Sequence, residues 1–301
     1  MASVPAVSVV IATYNRAHLI AETLESVLGQ SFRDFEIILV DDGSTDNTRE
    51  VVAPFGPRVQ YIYQSNRGPS AARNLGVRQA RGAWISIQDS DDLSAPHHLK
   101  VLHAYAAAHL NVGMIFANGV YLGGPEHKRN TIIPGPKSQL LAQRAVELHD
   151  IFDKSIVRLQ AALISRASYE AVGGLDESLR ICMDLDLSFR LLMKFPIAYI
   201  DEAIFSYRKH DGNIGRNEEL RITENIRVIE KLLRDYPQAN NMISQRQIAR
   251  RLAYRYYRLA KGRWKRRQHA DARQALLQAV ALCPVNVKYR LFQMRWALSP
   301  G

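Results

Sequence analysis

The chain reads Trp84-Ile85-Ser86-Ile87-Gln88-Asp89-Ser90-Asp91-Asp92 between residues 84 and 92, an apolar run followed by three carboxylates. The apolar part, residues 84–87, predicts a buried strand that ends where the acidic part begins. Carboxylates this close repel one another unless a cation or an array of donors compensates. Mg²⁺ or Mn²⁺ held by carboxylate oxygens and substrate phosphates is one such compensation. A solvated acidic loop or helix cap is the alternative.

Further apolar runs at residues 7–12, 35–40 and 59–63 also predict strands, and helical patterns separate them, including one over residues 69–80. Strands that alternate with helices predict an α/β fold with a doubly wound, mostly parallel sheet. Ligands of such sheets bind beyond the carboxyl ends of the strands. Three polar side chains each lie at the end of a different strand, and we expect them to line one crevice: Thr13, Asp41 and Asp89.

The composition excludes several classes of protein. The chain has 301 residues, of which 47% are hydrophobic and 23% charged, so it is neither disordered nor collagen-like. Its two cysteines cannot form a disulfide framework, which favours a reducing compartment. No basic leader precedes the first strand, and polar residues interrupt the apolar stretch 101–125. We therefore expect neither a secretory signal nor a membrane span. The expected location is the cytoplasm.

The positive charge is concentrated in the last third of the chain. Residues 1–215 contain 21 basic and 23 acidic residues, whereas residues 216–301 contain 19 and 6. The second part has helical patterns at 217–235, 243–262, 269–282 and 286–297, so we expect a domain boundary near residue 215 and a basic α-helical extension after it. Residues 246–267 include ten basic residues and no acidic ones. Docking on an anionic membrane is one hypothesis for them, and a solvated helix face is the alternative.

Other motifs narrow the range of functions. No GxGxxG or GxxxxGK[ST] motif follows a strand, which disfavours dehydrogenases and P-loop nucleotidases, and the basic region lacks a nucleic-acid reader motif. The cluster at residues 41–46 could bind a base or ribose, although an ordinary turn or helix cap is the alternative. Arg73 follows a glycine loop into a helix, where it faces an anion or forms a surface ion pair.

Taken in order, these segments resemble glycosyltransferase family 2, the inverting nucleotide-sugar transferases with the GT-A fold. The resemblance covers about residues 5–212. It rests on these motifs: Val7-Ser8-Val9-Val10-Ile11-Ala12-Thr13-Tyr14-Asn15-Arg16, Val40-Asp41-Asp42-Gly43-Ser44-Thr45-Asp46, Ala72-Arg73-Asn74-Leu75-Gly76, Asp89-Ser90-Asp91-Asp92, Gly173-Gly174-Leu175-Asp176-Glu177, Asp184-Leu185-Asp186-Leu187 and Tyr207-Arg208-Lys209-His210.

The resemblance implies a binding site for a nucleotide-sugar donor. Arg73 would lie near the base and phosphates, and Asp89 with Ser90 would contact the ribose or sugar. Four residues would hold the base, which we expect to be uracil: Ala12, Thr13, Tyr14 and Asp41.

The resemblance also implies the chemical groups. Asp91 would ligate a Mn²⁺ or Mg²⁺ ion that bridges the diphosphate, and His210 matches a late histidine that reaches the metal or diphosphate, with a turn histidine as the alternative. Asp184 would be the general base. Met183 stands where the family usually has Glu, and Asp186 is expected to cap or salt-bridge its helix.

We therefore expect an inverting glycosyltransferase, hexosyl or N-acetylhexosaminyl, that uses a UDP-sugar. Its acceptor would be a hydroxyl of a glycan or of a lipid-linked molecule in cell-envelope polysaccharide biosynthesis, at the inner face of the membrane with a peripheral contact. No nucleic-acid partner is expected. The alternative from another class is a catalytically silent module that binds a nucleotide with its core and a polyanion with its basic helices.

Overall fold

A computed structural model of the chain describes residues 4–122 and 131–297, the last three of these by their backbone alone. The chain divides into two compact units, Met1–Gly212 and Asn213–Gly301. The first unit holds the sheet, and the second is helical. The roles that the sequence suggests for the two parts, catalytic and accessory, stay predictions.

The strands of the first unit form one sheet in the order β3-β2-β1-β4-β7-β6-β8-β5. The first four of these run parallel to one another, β7 is antiparallel to both of its neighbours, and β5 is antiparallel to β8. The strand bounds are β1 Val7–Thr13, β2 Phe35–Asp41, β3 Gln60–Tyr63, β4 Trp84–Asp89, β5 Leu93–Ser94, β6 Met114–Tyr121, β7 Ala162–Ser165 and β8 Ile197–Tyr207.

Helices lie on both faces of the parallel part. Ile20 and Leu24 of α1 pack with Val9 and Ile11 on one face, and α3 lies on β1 and β2 on the other. The helices of the first unit are α1 Ala17–Leu28, α2 Thr48–Val52, α3 Pro69–Gln79, α4 His98–Ala108, α5 Gly135–Ala142, α6 Leu148–Phe152, α7 Arg166–Ala171 and α8 Met183–Leu192. The predicted α/β, mostly parallel sheet is confirmed.

The close approach of α3 to the sheet requires a glycine. A Cβ atom at Gly76 would lie 2.4 Å from Cγ1 of Val10, deep inside van der Waals contact. The helix begins at Pro69, after Gly68 with a φ of +94°, a conformation that side chains disfavour. These glycines set how the amino end of α3 meets the end of the sheet.

The second unit consists of helices that pack along one another. Helix α11 packs on both α9 and α12, and α13 packs on α12. A capping box of Ser244 and Gln247 begins α11, so its first backbone N–H groups are satisfied. The bounds are α9 Glu218–Asp235, α10 Ala239–Met242, α11 Gln245–Lys265, α12 His269–Leu282 and α13 Val287–Ala297.

The apolar stretch 101–125 is divided among several elements. Its residues form the body of α4, a turn and strand β6, and residues 123–125 lie outside the described residues. Among the described helices, none combines the length and the apolar character that crossing a bilayer requires.

Candidate active site

The register of the parallel strands brings the expected residues to one edge. Thr13 at the end of β1 pairs with Asp41 of β2, and Ala12 pairs with Asp89 of β4. The crevice expected at the carboxyl ends of these strands therefore gathers side chains from three segments. Tyr14 lies at its mouth and is 45% exposed, whereas Thr13 is buried. The Thr13 hydroxyl has no hydrogen-bond partner among the described residues.

The loop after β1 is tied to the loop after β2. Asn15 has a left-handed φ of +51°, and its side-chain oxygen accepts from the backbone N–H of Thr45 at 2.8 Å. In return, the N–H of Asn15 donates to the hydroxyl of Ser44 at 2.9 Å. These bonds hold two of the loops that line the crevice in a fixed relation.

The two carboxylates that end β2 have different surroundings. Asp41 accepts from the backbone N–H of Ser44 at 2.8 Å and from the Tyr61 hydroxyl at 2.6 Å. Burial and the neighbouring Asp41 raise the pKa of Tyr61, which keeps it a donor. Asp42 accepts from the backbone N–H groups of Arg67 and Gly68, each at 2.8 Å. Asp42 thus fixes the loop before α3, a role that its position in the motif did not reveal.

Arg73 lies at the centre of the site. Its Nη2 donates to Oδ1 of Asp89 at 2.5 Å, and its Nη1 points to the sulfur of Met183. The guanidinium is only 12% exposed. Arg73 therefore forms an ion pair, as the second of the two predictions for it states, but its side chain is largely buried instead of lying on the surface.

The acidic loop brings three carboxylates together. One oxygen each of Asp89, Asp91 and Asp92 lies within 4.8 Å of the others. Asp92 is buried and accepts from Gln160 Nε2 and the N–H of Arg208, both at 2.8 Å. Burial and the neighbouring Asp89 raise the pKa of Asp92 to about 8. Burial also raises the pKa of Asp89 to about 6, against the opposing effect of Arg73.

This donor set fits a hard divalent cation. Carboxylate oxygens are the protein ligands that Mg²⁺ and Mn²⁺ prefer. Burial first, and then the neighbouring carboxylates, raise the pKa of Asp89 and of Asp92, and a bound cation would favour their ionised forms. Each of the three already has a partner: Asp89 is paired with Arg73, Asp92 is buried under its donors, and Asp91, 15% exposed, contacts side chains described below.

His210 and Asp91 meet although 119 positions separate them in the sequence. Nε2 of His210 lies 2.9 Å from Oδ2 of Asp91, and Nε of Arg16 lies 3.5 Å from the same oxygen. The ring nitrogen Nδ1 accepts from the N–H of Gly212 at 3.1 Å, so Nε2 is the donor to Asp91. Arg16 also donates to the carbonyl of Gly212 at 2.8 Å. Arg16 and His210, which come from opposite ends of the first unit's sequence, therefore both contact the Asp91 carboxylate.

Asp184 lies in the first turn of α8, half-buried. Its Oδ2 accepts from the N–H of Leu159 at 3.4 Å. Burial raises the pKa of Asp184, and the positive charges of Arg73 and Arg158 oppose that shift. A carboxylate whose pKa lies above its ordinary value is a stronger base, which suits proton abstraction.

The neighbours of Asp184 on α8 do structural work. Met183 is buried with its sulfur beside Arg73 and Ser70, so this position supplies no charge to the site. Asp186 is buried, and its Oδ2 accepts from Nε of Arg190 at 2.9 Å. This is the salt bridge expected for Asp186.

Sequence reasoning missed four residues of the site. Arg16 and Arg208 stood inside quoted motifs, but the contacts of the Arg16 side chain with Asp91 and of the Arg208 backbone N–H with Asp92 arise from the tertiary fold. Arg158 and Gln160 come from a stretch without readable periodicity, and they reach Asp184 and Asp92 only through the tertiary fold.

Comparisons with known proteins agree with this geometry. The profile described as Glycosyl transferase family 2 matches residues 8–167. An uncharacterized glycosyltransferase of Rickettsia typhi is 28% identical over 214 residues, which are 69% of this chain and 65% of that protein. The glycosyltransferase GlyG of Streptococcus pneumoniae is 41% identical over 101 residues, 32% of this chain and 34% of GlyG. The chain thus spans less than two thirds of the length of these relatives.

Solved structures share the fold. The crystal structure of S. aureus TarS 1-349 superposes with a TM-score of 0.68 at 21% identity, over 92% of this chain and 81% of that one. The mannosyltransferase PcManGT from Pyrobaculum calidifontis, in complex with GDP-Man and Mn²⁺, superposes with a TM-score of 0.62 at 20% identity, over 97% and 84%. TarS 1-349 has also been crystallised in complex with UDP-GlcNAc. These likenesses confirm the GT-A-type fold.

Proposed function

Because the chain belongs to glycosyl transferase family 2, we propose that it moves a sugar from a nucleotide-sugar donor to an acceptor hydroxyl, with inversion at the anomeric carbon. One observation carries the proposal: the Arg73 guanidinium bridges Asp89 at the end of β4 and Met183, the neighbour of Asp184 in the first turn of α8. A base and a cationic group for a leaving diphosphate are then close together, as displacement from one side of the sugar requires.

We assign the donor site to the crevice at the ends of β1, β2 and β4, and the donor to the UDP-sugars. Arg73 would lie near the base and phosphates, and Asp89 with Ser90 would contact the ribose or sugar. The partnerless hydroxyl of buried Thr13 supports a polar ligand at this edge. Solved structures of similar fold were determined in complex with UDP-GlcNAc, UDP and GDP-Man, which supports a nucleotide-sugar as the donor. The uracil base would be held by Ala12, Thr13, Tyr14 and Asp41.

In the reaction, Asp184 would accept the proton of the acceptor hydroxyl as its oxygen attacks the anomeric carbon. The raised pKa of Asp184 supports this role, because burial makes the carboxylate more basic. Asp91 and His210 would hold Mn²⁺ or Mg²⁺, which when bound supplies positive charge to the leaving diphosphate. Arg73 is preorganised beside the same position by Asp89, so it needs little rearrangement to offset negative charge.

The proposals for the acceptor and the location rest on the family of the chain and not on particular contacts in the site. We propose a hydroxyl of a glycan or lipid-linked molecule, a hexosyl or N-acetylhexosaminyl donor sugar, and cell-envelope polysaccharide biosynthesis at the cytoplasmic face of a membrane. The alternative, a silent nucleotide- and polyanion-binding module, predicts no turnover at all. Hydrolysis of a UDP-sugar without acceptor, by the purified chain, would distinguish the two.

The decisive test is the substitution Asp184→Asn. Asn keeps the shape but cannot accept a proton, so we expect transfer to fall by about 10²–10⁴-fold while binding of UDP by calorimetry stays within about twofold. Asp34→Asn is the matched control, because Asp34 is exposed and precedes the amino end of β2, whereas the site lies at the carboxyl ends of the strands. Near-normal turnover of Asp184→Asn would refute the assignment of the base.

A further inference from the structure

Helix α13 carries apolar side chains on two opposite sides. On the inner side, Tyr289 is 5% exposed, with its ring centroid 4.8 Å from that of Tyr257. Phe292 also faces inward, 5.7 Å from Tyr257 between ring centroids. On the outer side, Val287 and Leu291 are 69% and 60% exposed, and Met294 is 61% exposed. Because these three are spaced by four and three residues, they form one stripe along the helix.

An exposed apolar stripe on a helix indicates a surface that another molecule covers. The solvent-facing side of a helix is ordinarily polar, and a helix that is apolar all round is ordinarily buried all round. Val285, just before the helix, is 90% exposed and extends the apolar surface. The inner side of α13 has its partners within the unit, so the outer side is the one that lacks a cover among the described residues.

Cations surround this stripe. Lys288 and Arg290 are exposed and lie on either side of it by helical spacing. Lys261 of α11 joins them, because Nζ of Lys261 and Nζ of Lys288 lie 6.0 and 5.2 Å from the centre of the Tyr257 ring. Residues 244–301 contain fourteen Lys or Arg residues and a single acid, Asp271. The rim of the stripe therefore carries one sign of charge.

The longer basic run is less free than its sequence suggests. Arg258 pairs with Glu218, and both Arg263 and Arg266 pair with Glu219. These contacts neutralise part of the run 246–267 inside the unit. Lys261 and Lys288 are exposed and make no ion pair with an acid among the described residues, so their charge is not neutralised by a carboxylate.

We propose that the outer face of α13, defined by Val287, Leu291 and Met294 with Lys261, Lys288 and Arg290 around them, docks on an anionic lipid bilayer. The apolar side chains would enter the headgroup layer while the cations meet lipid phosphates. Long Lys and Arg side chains reach such phosphates from beside an apolar stripe. A second copy of the chain suits this face poorly, because a two-fold contact would bring like charges together. A short stripe of three residues makes the docking reversible and salt-dependent.

Vesicle flotation with the full chain tests the proposal. We expect it to float with phosphatidylcholine vesicles that contain phosphatidylglycerol at low salt, to remain behind with phosphatidylcholine alone, and to be released at high salt. Leu291→Gln is expected to weaken the partition about five- to tenfold. Leu110→Gln, at a side chain that is 88% exposed in the first unit, is the matched control and is expected to bind like the wild type.

A charge variant completes the design. Lys288→Gln is expected to weaken binding to the anionic vesicles about fivefold, and Lys100→Gln, an exposed lysine of the first unit, is expected to have no effect. Equal flotation of Leu291→Gln and wild type, or no flotation of the wild type at low salt, would overturn the proposal. So would a wild-type dimer in light scattering that Leu291→Gln converts to a monomer, or a Leu291-dependent complex with an oligonucleotide that displaces the vesicles.

The docking test needs neither donor nor acceptor. Failure of flotation would leave the proposed transfer reaction untouched, and normal turnover of Asp184→Asn would leave the docking face untouched. The two proposals therefore stand or fall on separate measurements.

Discussion

A single guanidinium sets the electrostatics of the site. Arg73 lowers the pKa of both Asp89 and Asp184, against the effect of burial on each. Its third neighbour, the sulfur of Met183, carries no charge that would compete for it. With a carboxylate at that position, as the family usually has, Arg73 would be shared among more acids. Met183 thus leaves the charge of Arg73 to the two groups that we place in the reaction.

This arrangement predicts a pH effect of Arg73→Met. Loss of the positive charge raises the pKa of Asp184 further, so a larger fraction of the base is protonated at a given pH. We expect the acidic limb of the rate profile to move to higher pH and kcat near neutral pH to fall about tenfold or more. The measurement is kcat against pH in saturating donor and acceptor.

Two variants make that experiment specific. Arg73→Lys keeps the charge and is expected to keep the position of the limb. Arg158→Met removes the second cation that lowers the pKa of Asp184 and is expected to move the limb by less. An unchanged limb in Arg73→Met would mean that Asp184 does not titrate on it.

At the scale of elements, the contact of α3 with β1 positions Arg73 at the end of the sheet. Gly76 lets the helix lie directly on Val10, and the same helix carries Arg73 toward Asp89. Cores packed this closely tolerate an added methyl group poorly, because neighbours must leave their rotamers or the backbone must shift. The position of the guanidinium therefore depends on a residue that touches no ligand.

Gly76→Ala is expected to lower the free energy of unfolding by about 1–3 kcal/mol in denaturant titrations. Gly135→Ala is the matched control: no atom lies within 4 Å of its new Cβ, so we expect a change within about 0.5 kcal/mol. The double variant Gly76→Ala with Val10→Ala should recover part of the loss, because the methyl that clashes is gone. Equal stability of Gly76→Ala and wild type would contradict the close contact.

The sequence predicts some elements well and others not at all. Strands β1 to β4 are apolar runs bounded by turn residues, and helix α3 begins after a glycine-proline pair. The observed ends of these five elements differ from the predicted ones by at most two residues. The two-residue strand β5 has no pattern of its own and exists through its pairing with β8. The place of β7 between β4 and β6 is likewise a tertiary property, since alternation of strands and helices specifies a class and not an order.

The same distinction holds for the site. The proximity of Thr13, Asp41 and Asp89 could be predicted from the sequence, because the carboxyl ends of parallel strands lie at the same edge of the sheet. The meeting of Asp91 with His210 followed only from the resemblance. The contribution of Gln160 to Asp92 could not be predicted, because it depends on how an irregular segment folds over the sheet. The chemical roles of all these residues remain predictions for the experiments above.

At the scale of the whole molecule, the net charge of +11 describes neither part of the chain. Residues 1–215 have two more acidic than basic residues, and the acidic loop lies among them. A general attraction to anions is therefore no guide to the donor. In the proposed function, recognition of the donor depends on local geometry. A ligand that binds only the folded chain stabilises the chain against heat, so donor binding can be measured by thermal unfolding.

A panel of UDP, GDP and dTDP with Mn²⁺ is expected to separate the nucleotides by thermal unfolding. At a concentration of about 100 times Kd, the preferred nucleotide, expected to be UDP, should raise Tm by about 4–6 °C. Asp91→Ala should abolish the part of the shift that depends on Mn²⁺. A Mn²⁺-dependent affinity for UDP in Asp91→Ala equal to that of wild type would exclude Asp91 as a ligand of the cation.

The antiparallel strand β7 separates two stretches of the sheet. On one side lie β1, β2 and β4, whose ends bear the residues assigned to the donor, and on the other lie β6 and β8. The segment that leads into β7 supplies Arg158 and Gln160, and Asp184 follows on α8. Variation in residues 131–161 can therefore alter what approaches Asp184 while β1, β2 and β4 stay as they are. With the roles proposed above, protein engineering could diversify the acceptor side of the site and leave the donor side constant.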